Sequence, residues 1–381
     1  MRLTVFAPGL LGPWPSDDAS LPPPRAPMLA RLLARGNRLP APPLAPEPAL
    51  ARLFGLADEQ LPWAALGLWG ETGQRPDGFV LRIDPVHLKL GMTDAVVFGG
   101  PALALSMNEA RVLAQAMEEH FAELGWRITV ATPERWYLQG AQPADLQTVP
   151  LNRALRRDAG LFKPAGRDAA RWLAWLTEAQ MLLHAHPVNQ SREARGQPGI
   201  NALWPWGAGT LDALSVETGG ITSVHAADPL ARGIALAAHL PVHDLPETLD
   251  EWKAGSDPSA HTLVVLDEAL QPRLDGDHED WQATVPEGLT RLLLAQREFF
   301  AGLPGRGPVL WVPIDFTQPE DGFEPADYGL DALWDAIEEA ASLGLEARLR
   351  SGSEISDIYS RAAHPHIVGF SLAAGTVGAL P

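Results

Sequence analysis

The 381-residue chain reads as an α/β protein whose mostly parallel sheet carries helices on both faces, with a small α+β domain inserted into it. Three observations lead there. Short apolar runs alternate with amphipathic helical runs in the carboxyl half, the pattern of strands buried on both sides by crossover helices. The amino end opens as a strand, a turn and a helix. Between residues 75 and 142 the texture changes to strand, strand, helix and strand pair with short links. The expected organisation is therefore a discontinuous core, 1–74 and 143–381, interrupted by an insertion at 75–142.

In chain order, LTVFA is an apolar first strand that ends at the turn-forming pair Pro8 and Gly9. A polar, proline-rich loop runs on to Pro24. MLARLLAR places its leucines on one helical face between Pro27 and Gly36, residues suited to the start and the end of a helix. Residues 37–50 are rich in proline and alanine without a clear period, and a short helix is expected over 48–56.

Inside the expected insertion, FVLRIDPVHLKL and AVVFGG are strands. SMNEARVLAQAMEEHFAELG is a strongly amphipathic helix with Ser106 as its N-cap and Glu109 completing a capping box. WRITVATPERWYLQ closes the unit as a strand pair.

A long helix follows over 166–185, its tryptophans and leucines marking a buried stripe. The next stretch, HPVNQSREARGQPGINALWPWGAGT, is dense in Pro, Gly, Asn and Arg, which argues against a long regular element there. Beyond it the pattern gives helices at 228–239, 286–302 and 328–343 and buried strands at 261–267 and 308–314. No internal repeat is visible.

Composition removes several classes of function. Lys+Arg 29 against Asp+Glu 47 leaves a formal charge of −18, so nucleic acid would meet a repulsive field. No cysteine occurs, which excludes disulfides, thiolate nucleophiles and cysteine-ligated metals and suits a reducing compartment, so the cytoplasm is expected. The first apolar run breaks at Pro8 and Gly9, too early for a signal-peptide core. No stretch reaches the roughly 18 apolar residues of a membrane helix, so no membrane partner is expected. The motifs GxxxxGK[ST], GxGxxG, GxSxG and HExxH are all absent.

Chemistry in an α/β sheet gathers outside the carboxyl ends of the strands. Pro8 and Gly9, then Asp267 and Glu268, then Asp315, Phe316 and Thr317 follow the expected strands. Asp267 and Asp315 have the oxygen ligands a divalent cation wants, or they cap turns. The run around His278, with Asp275, Asp277, Glu279 and Asp280, has metal-ligand types in a sequence more typical of a solvated turn. His184 and His186 are two apart and do not share a helical face, which favours packing over joint ligation. Asn189, Arg192 and Arg195 sit in a glycine-rich loop where guanidinium and backbone N–H groups suit a phosphate or carboxylate, or where they brace the loop.

HPVNQSREARGQPGINALWPWGAG resembles the HPVN…R…RG…AN…RGxG segment of the archaeal-type cofactor-independent phosphoglycerate mutases, in the alkaline phosphatase superfamily. The likeness extends along most of the chain. VHLKLGMTDAVVFGGPALALSMNEARVLAQAM resembles their inserted domain, ATPERWYLQ a strand bearing an arginine, here Arg135, and VLWVPIDFTQP the strand that ends in an Asp-His pair. RAPMLARLLARG resembles their nucleophile helix. The W-x-W-G form of the loop is closer to the RpfE-type regulatory proteins, a proteobacterial group.

The resemblance implies two divalent metals, manganese or zinc, and a Ser or Thr nucleophile. Against it, the amino-terminal metal Asp is replaced by Pro8, the nucleophile by Ala26, the late His by Phe316, and an Arg before Gly207 by Trp206. The His expected after Asp267 and Glu268 is also missing from its place. Each change deletes a donor atom. The expectation is a catalytically degenerate protein without a cofactor, acting as a regulator or as a binder of a small acidic ligand or a protein partner. Asn189, Arg192, Arg195, Asn201, Arg135, Trp204 and Trp206 would line the pocket. The alternative is an active mutase or phosphohydrolase, with manganese or zinc on Asp267, Asp275, Asp277, His278 and Asp315.

Overall fold

The computed structural model describes residues 2–9, 37–39, 45–56, 61–140, 143–212, 214–245, 260–275, 277, 279–281, 309–312 and 368–371. The helices expected at 27–35, 286–302 and 328–343 lie outside them. The protein is mixed α/β, and the chain divides into two compact units. The first comprises Met1–Ala57, Val216–Ala231 and Ala238–Pro381; the second comprises Asp58–Ser215 with Arg232–Ala237.

The first unit holds a seven-stranded, mostly parallel sheet. Its strands are β1 (Arg2–Phe6), β2 (Asn37–Leu39), β8 (Ser223–His225), β9 (Val242–His243), β10 (His261–Val265), β11 (Val309–Val312) and β12 (Val368–Ser371), in the order β2-β12-β11-β1-β10-β8-β9. β1 runs parallel to both of its neighbours, β10 and β11, while β12 is antiparallel to β11 and β2. Val5, Phe6, Leu263, Val264 and Val265 are buried, as the apolar runs require of strands in the middle of such a sheet. Helix α1 (Pro46–Arg52) starts two residues before the expected 48 and carries Pro46 at its first turn, where a missing N–H costs nothing.

The second unit is built on β3 (Phe79–Leu90), the long strand that FVLRIDPVHLKL foretells. β3 pairs with β6 (Arg135–Gly140) over Phe79–Arg82 and with β4 (Ala95–Gly99) over Val86–Leu90. β7 (Ala202–Gly209) pairs along Val80–Val86 on the opposite edge, and β5 (Arg127–Thr132) flanks β6. Pro85 therefore falls in the gap between β6 and β4, where a strand interior tolerates the loss of an N–H.

On one face of this sheet, Phe79, Leu81, Ile83, Trp136 and Leu138 form a core with Leu113 and Met117 of α3 (Met107–His120) and Trp172 and Leu183 of α5 (Ala169–Ala185). Burying each such side chain contributes about 1.5–3 kcal/mol, so this face anchors the unit. The other face is covered by α2 (Trp63–Thr72), a helix without a clear sequence signal. Gly207 lets α2 approach: at φ +69° its place has no room for a Cβ, which would stand 2.9 Å from the Ala64 nitrogen.

The expected insertion at 75–142 falls wholly within this unit, joined there by α2, the short α4 (Leu151–Ala154), α5, α6 (Pro187–Ala194) and β7. α6 and β7 correct the expectation of an irregular stretch after His186. Pro187 sits at a helix start, where it is tolerated, and Pro205 sits in β7 opposite Ile83. Two further helices, α7 (Pro229–Ala237) and α8 (Leu270–Asp275), complete the described fold. Among the described residues no helix is long and apolar enough to cross a membrane.

Candidate functional site

The seven residues expected to line a ligand pocket all lie in the second unit, six of them in two places and Trp204 apart from both. The first is built around α6. Asn189 is buried and its amide nitrogen donates to the carbonyls of Leu183 and Ile200, both at 2.7 Å, while its oxygen accepts the Ile200 N–H at 2.7 Å. Asn201 does the same for β3, accepting from the Leu88 N–H at 2.7 Å and donating to the Leu88 carbonyl at 2.9 Å. An asparagine side chain has a donor and an acceptor side by side, so it extends a strand's pairing by one residue.

Arg192 is fully buried. Its guanidinium donates to the carbonyls of Pro198, Ala104 and Leu103 and to Glu109 at 3.1 Å. Arg195 is half-exposed and reaches the other Glu109 oxygen at 2.7 Å and Gln197 at 2.9 Å. Glu109 joins this network to the capping box of α3, accepting the Ser106 backbone N–H and hydroxyl. Burial pushes the Glu109 carboxyl up, but the Ser106 donors and the two arginines together hold it below the ordinary carboxylate range.

The second place was not legible in the sequence. Arg82, in β3, stands directly opposite Tyr137 of β6 and Trp206 of β7. Its guanidinium carbon lies 5.0 Å from the Tyr137 ring centroid and 4.8 Å from that of Trp206, a cation held between two aromatic rings. Two residues along the same face, Asp84 accepts both Arg82 donors at 2.8 Å, the Trp206 indole N–H at 2.7 Å and the Trp136 N–H at 3.4 Å. Burial pushes the Asp84 carboxyl up, and Arg82 with Trp206 pulls it back. The net effect leaves the carboxyl above the ordinary carboxylate range, beside a guanidinium that keeps its proton and lies 2.7 Å away.

Arg135 belongs to this cluster. It donates to Glu71 of α2 at 2.6 Å, and Glu71 also accepts the Tyr137 hydroxyl at 3.3 Å. Burial raises the Tyr137 pKa well above its ordinary value. Trp204 lies apart, its indole donating to the Val149 carbonyl at 3.0 Å. So Arg135 and Trp206 come together, Asn189, Arg192, Arg195 and Asn201 form a separate network, and each of the seven has protein partners.

In the first unit the residues that follow β1, β8, β9 and β10 are described, and β1 and β10 are adjacent in the sheet. β1 is succeeded by Ala7, Pro8 and Gly9. Gly9, at φ +79°, is pressed against α8: a Cβ there would stand 2.5 Å from the Leu270 Cα. Its carbonyl accepts the indole N–H of the fully buried Trp281 at 2.9 Å. Asp275 accepts from Gln271 at 2.9 Å and Asp277 caps the Asp280 N–H at 2.9 Å. Asp267 follows β10, while His278, Asp315, Ala26 and Phe316 lie outside the described residues. Among the described residues no three His, Asp or Glu side chains gather as a metal would require.

No family model matches the chain and no curated protein matches its sequence. Solved structures do. The PH0037 protein from Pyrococcus horikoshii is 15% identical, with 82% of each chain covered and a TM-score of 0.50. A cofactor-independent phosphoglycerate mutase from Thermoplasma acidophilum DSM 1728 is 19% identical over 82% of this chain and 86% of that one, with a TM-score of 0.36. At 15% identity the first likeness is one of fold alone, and the second superposition is too loose to add to it.

Proposed function

We propose that this chain has a phosphoglycerate-mutase-like fold without the mutase chemistry, and that it works by binding, as a regulatory or small-anion-binding protein. The observation that carries this reading is the end of β1. The chain lays down β8, β9 and β10 on one side of β1 and then crosses to β11 on the other, so the carboxyl end of β1 is the switch point where such sheets hold their ligands. Ala7, Pro8 and Gly9 stand there, without a carboxylate, imidazole or hydroxyl among them. Two-metal phosphoryl transfer needs such donors, and these residues do not fit the ions. The resemblance at Ala26 and Phe316 supports the same reading from sequence.

An anion would be met at one of the two arginines that keep an exposed side, Arg195 in the α6 network or Arg135 in the cluster with Trp206. Arg195 is 53% exposed and Arg135 36%, and each shares one carboxylate, Glu109 or Glu71. Arg192 shares Glu109 with Arg195, and Asn189, Asn201, Trp204 and Trp206 fix the neighbouring backbone and the Asp84 carboxylate. A ligand with one acidic group and an apolar or ring portion suits a surface where tryptophan stands beside arginine.

The test is an assay of 2- and 3-phosphoglycerate interconversion by the full-length protein supplied with manganese or zinc, with and without EDTA, beside its metal content. The expected result is no chelator-sensitive turnover. Stoichiometric metal with chelator-sensitive turnover would overturn the reading in favour of an enzyme using Asp267, Asp275, Asp277, His278 and Asp315.

A further inference from the structure

Helix α5 is more apolar than its place in the fold requires. Its inner side is used: Trp172, Ala179 and Leu183 are buried, and Trp172 stacks on Trp126 at 5.4 Å. Nine of its seventeen residues are nonetheless exposed. At 3.6 residues per turn, Ala170, Leu173, Ala174, Thr177, Met181, His184 and Ala185 fall on one outward arc of about 120°. That arc contains no Asp, Glu, Lys or Arg over sixteen residues, and Leu173 and Met181 on it are 38% and 64% exposed. The two charges of the helix stand at its flank and are occupied, Arg171 with Asp168 at 2.9 Å and Glu178 with His120 at 3.6 Å. A solvated helix carries a polar outer face; one that is apolar all round is a buried helix.

We infer that α5 is buried by a second copy of this chain, the two α5 helices crossing on a two-fold axis near Thr177. Charge selects this occupant. The chain as a whole is at −18 and copies repel each other, but that charge is unevenly placed. The second unit has 15 Lys and Arg against 17 Asp and Glu, whereas the remainder has 14 against 30. Two copies therefore approach at least cost through the nearly neutral unit, and the uncharged stripe lies on it. Leu173, Thr177 and Met181 repeat at intervals of four with Ala170, Ala174 and Ala185 beside them on the arc, the spacing of ridges and grooves that pack on a like helix. In an isologous crossing, Leu173 of one copy sits beside Met181 of the other.

A helix of seventeen residues is about 25 Å long, and one such face supplies less than the roughly 800 Å² per partner of a standard interface. The dimer is accordingly weak and reversible, with a Kd on the order of micromolar.

Sedimentation equilibrium of the full-length chain across the micromolar range tests this. The wild type goes from monomer to dimer with rising concentration. Leu173→Glu and Met181→Lys each raise the dimer Kd at least about tenfold, a factor equivalent to about 1.4 kcal/mol, with circular dichroism unchanged because both side chains are exposed. Placing both substitutions in one chain restores the dimer, since each new charge then meets its opposite across the axis. The absence of cysteine allows a second readout: oxidised Thr177→Cys runs as a covalent dimer, and Lys89→Cys does not. A wild type that stays monomeric throughout, or a dimer that survives both single substitutions, overturns the inference.

Discussion

Arg82 and Arg192 are both withdrawn from solvent in the second unit, but their charges are met differently. Arg82 faces a carboxylate more deeply buried than itself, and its planar head is clasped by Tyr137 and Trp206. Arg192 faces mainly backbone carbonyls, those of Leu103, Ala104 and Pro198, and it shares Glu109 with the half-exposed Arg195. The first arrangement is a closed ion pair that holds three strands in register. The second is a tether by which one side chain ties α6 to the chain before α3. Removing the carboxylate should therefore do different things: Arg82 is left between its two rings, whereas Arg192 keeps three backbone carbonyls, and Glu109 keeps Arg195 when Arg192 is the group removed.

The largest effect expected is at Asp84. Asp84→Ala leaves Arg82 between two rings without its counter-charge, and breaking a buried pair in this way costs about 3–5 kcal/mol. Urea unfolding of the full-length protein measures it. Asp84→Asn, which still accepts from Trp206, should lose less. If the two variants lose the same small amount, Arg82 is better solvated than its position implies and the contrast with Arg192 fails.

Arg192→Met should cost less, about 1–3 kcal/mol, because the carbonyls it abandons are neutral and Glu109 keeps Arg195 as its counter-charge. The measurement that sharpens the comparison is hydrogen exchange. Protection should fall at α6 and at Leu103 to Glu109, the two segments the guanidinium joins, while β3 stays protected. Loss of protection across the whole sheet would mean that Arg192, too, supports the core.

Ser106→Ala removes the N-cap of α3 and should cost about 1 kcal/mol. The thermal midpoint reads this, and helix α3 should fray at its first turn only. That cap illustrates what a sequence makes legible. Ser106 and Glu109 are three residues apart and need nothing else, so the capping box can be read directly. β3 is equally plain, since Phe79, Leu81 and Ile83 recur at every second position of FVLRIDPVHLKL and share the core face. The Arg82 clasp is different: Asp84 and Trp206 are 122 residues apart, and only the register of β7 on β3 brings them together. The Asn189 and Arg192 network was half visible. Its residue types point to hydrogen bonding, but its partners are carbonyls of Leu183, Ile200 and Leu103, and a backbone acceptor has no letter in a sequence. For the same reason the stretch after His186 looked irregular, although Pro187 only starts a helix.

The smallest effect concerns Glu109, and pH separates it from the others. Its carboxyl titrates below its unfolded value of about 4.3, so the folded state holds the ionised form more firmly than the unfolded chain does. That stability is fully present above about pH 4.3 and is lost as pH falls through the lower, folded value. Glu109→Gln keeps a side chain able to serve a capping box but gives up the charge that Arg192 and Arg195 share, so at neutral pH it should cost about 0.5–1.5 kcal/mol. As pH falls through that lower, folded value the gap between wild type and variant should close, because protonation then removes the charge from the wild type. A gap that stays constant as pH falls until the carboxyl is protonated would show that the carboxylate acts on Arg192 through shape alone. The tether would then owe nothing to electrostatics, unlike the clasp at Arg82.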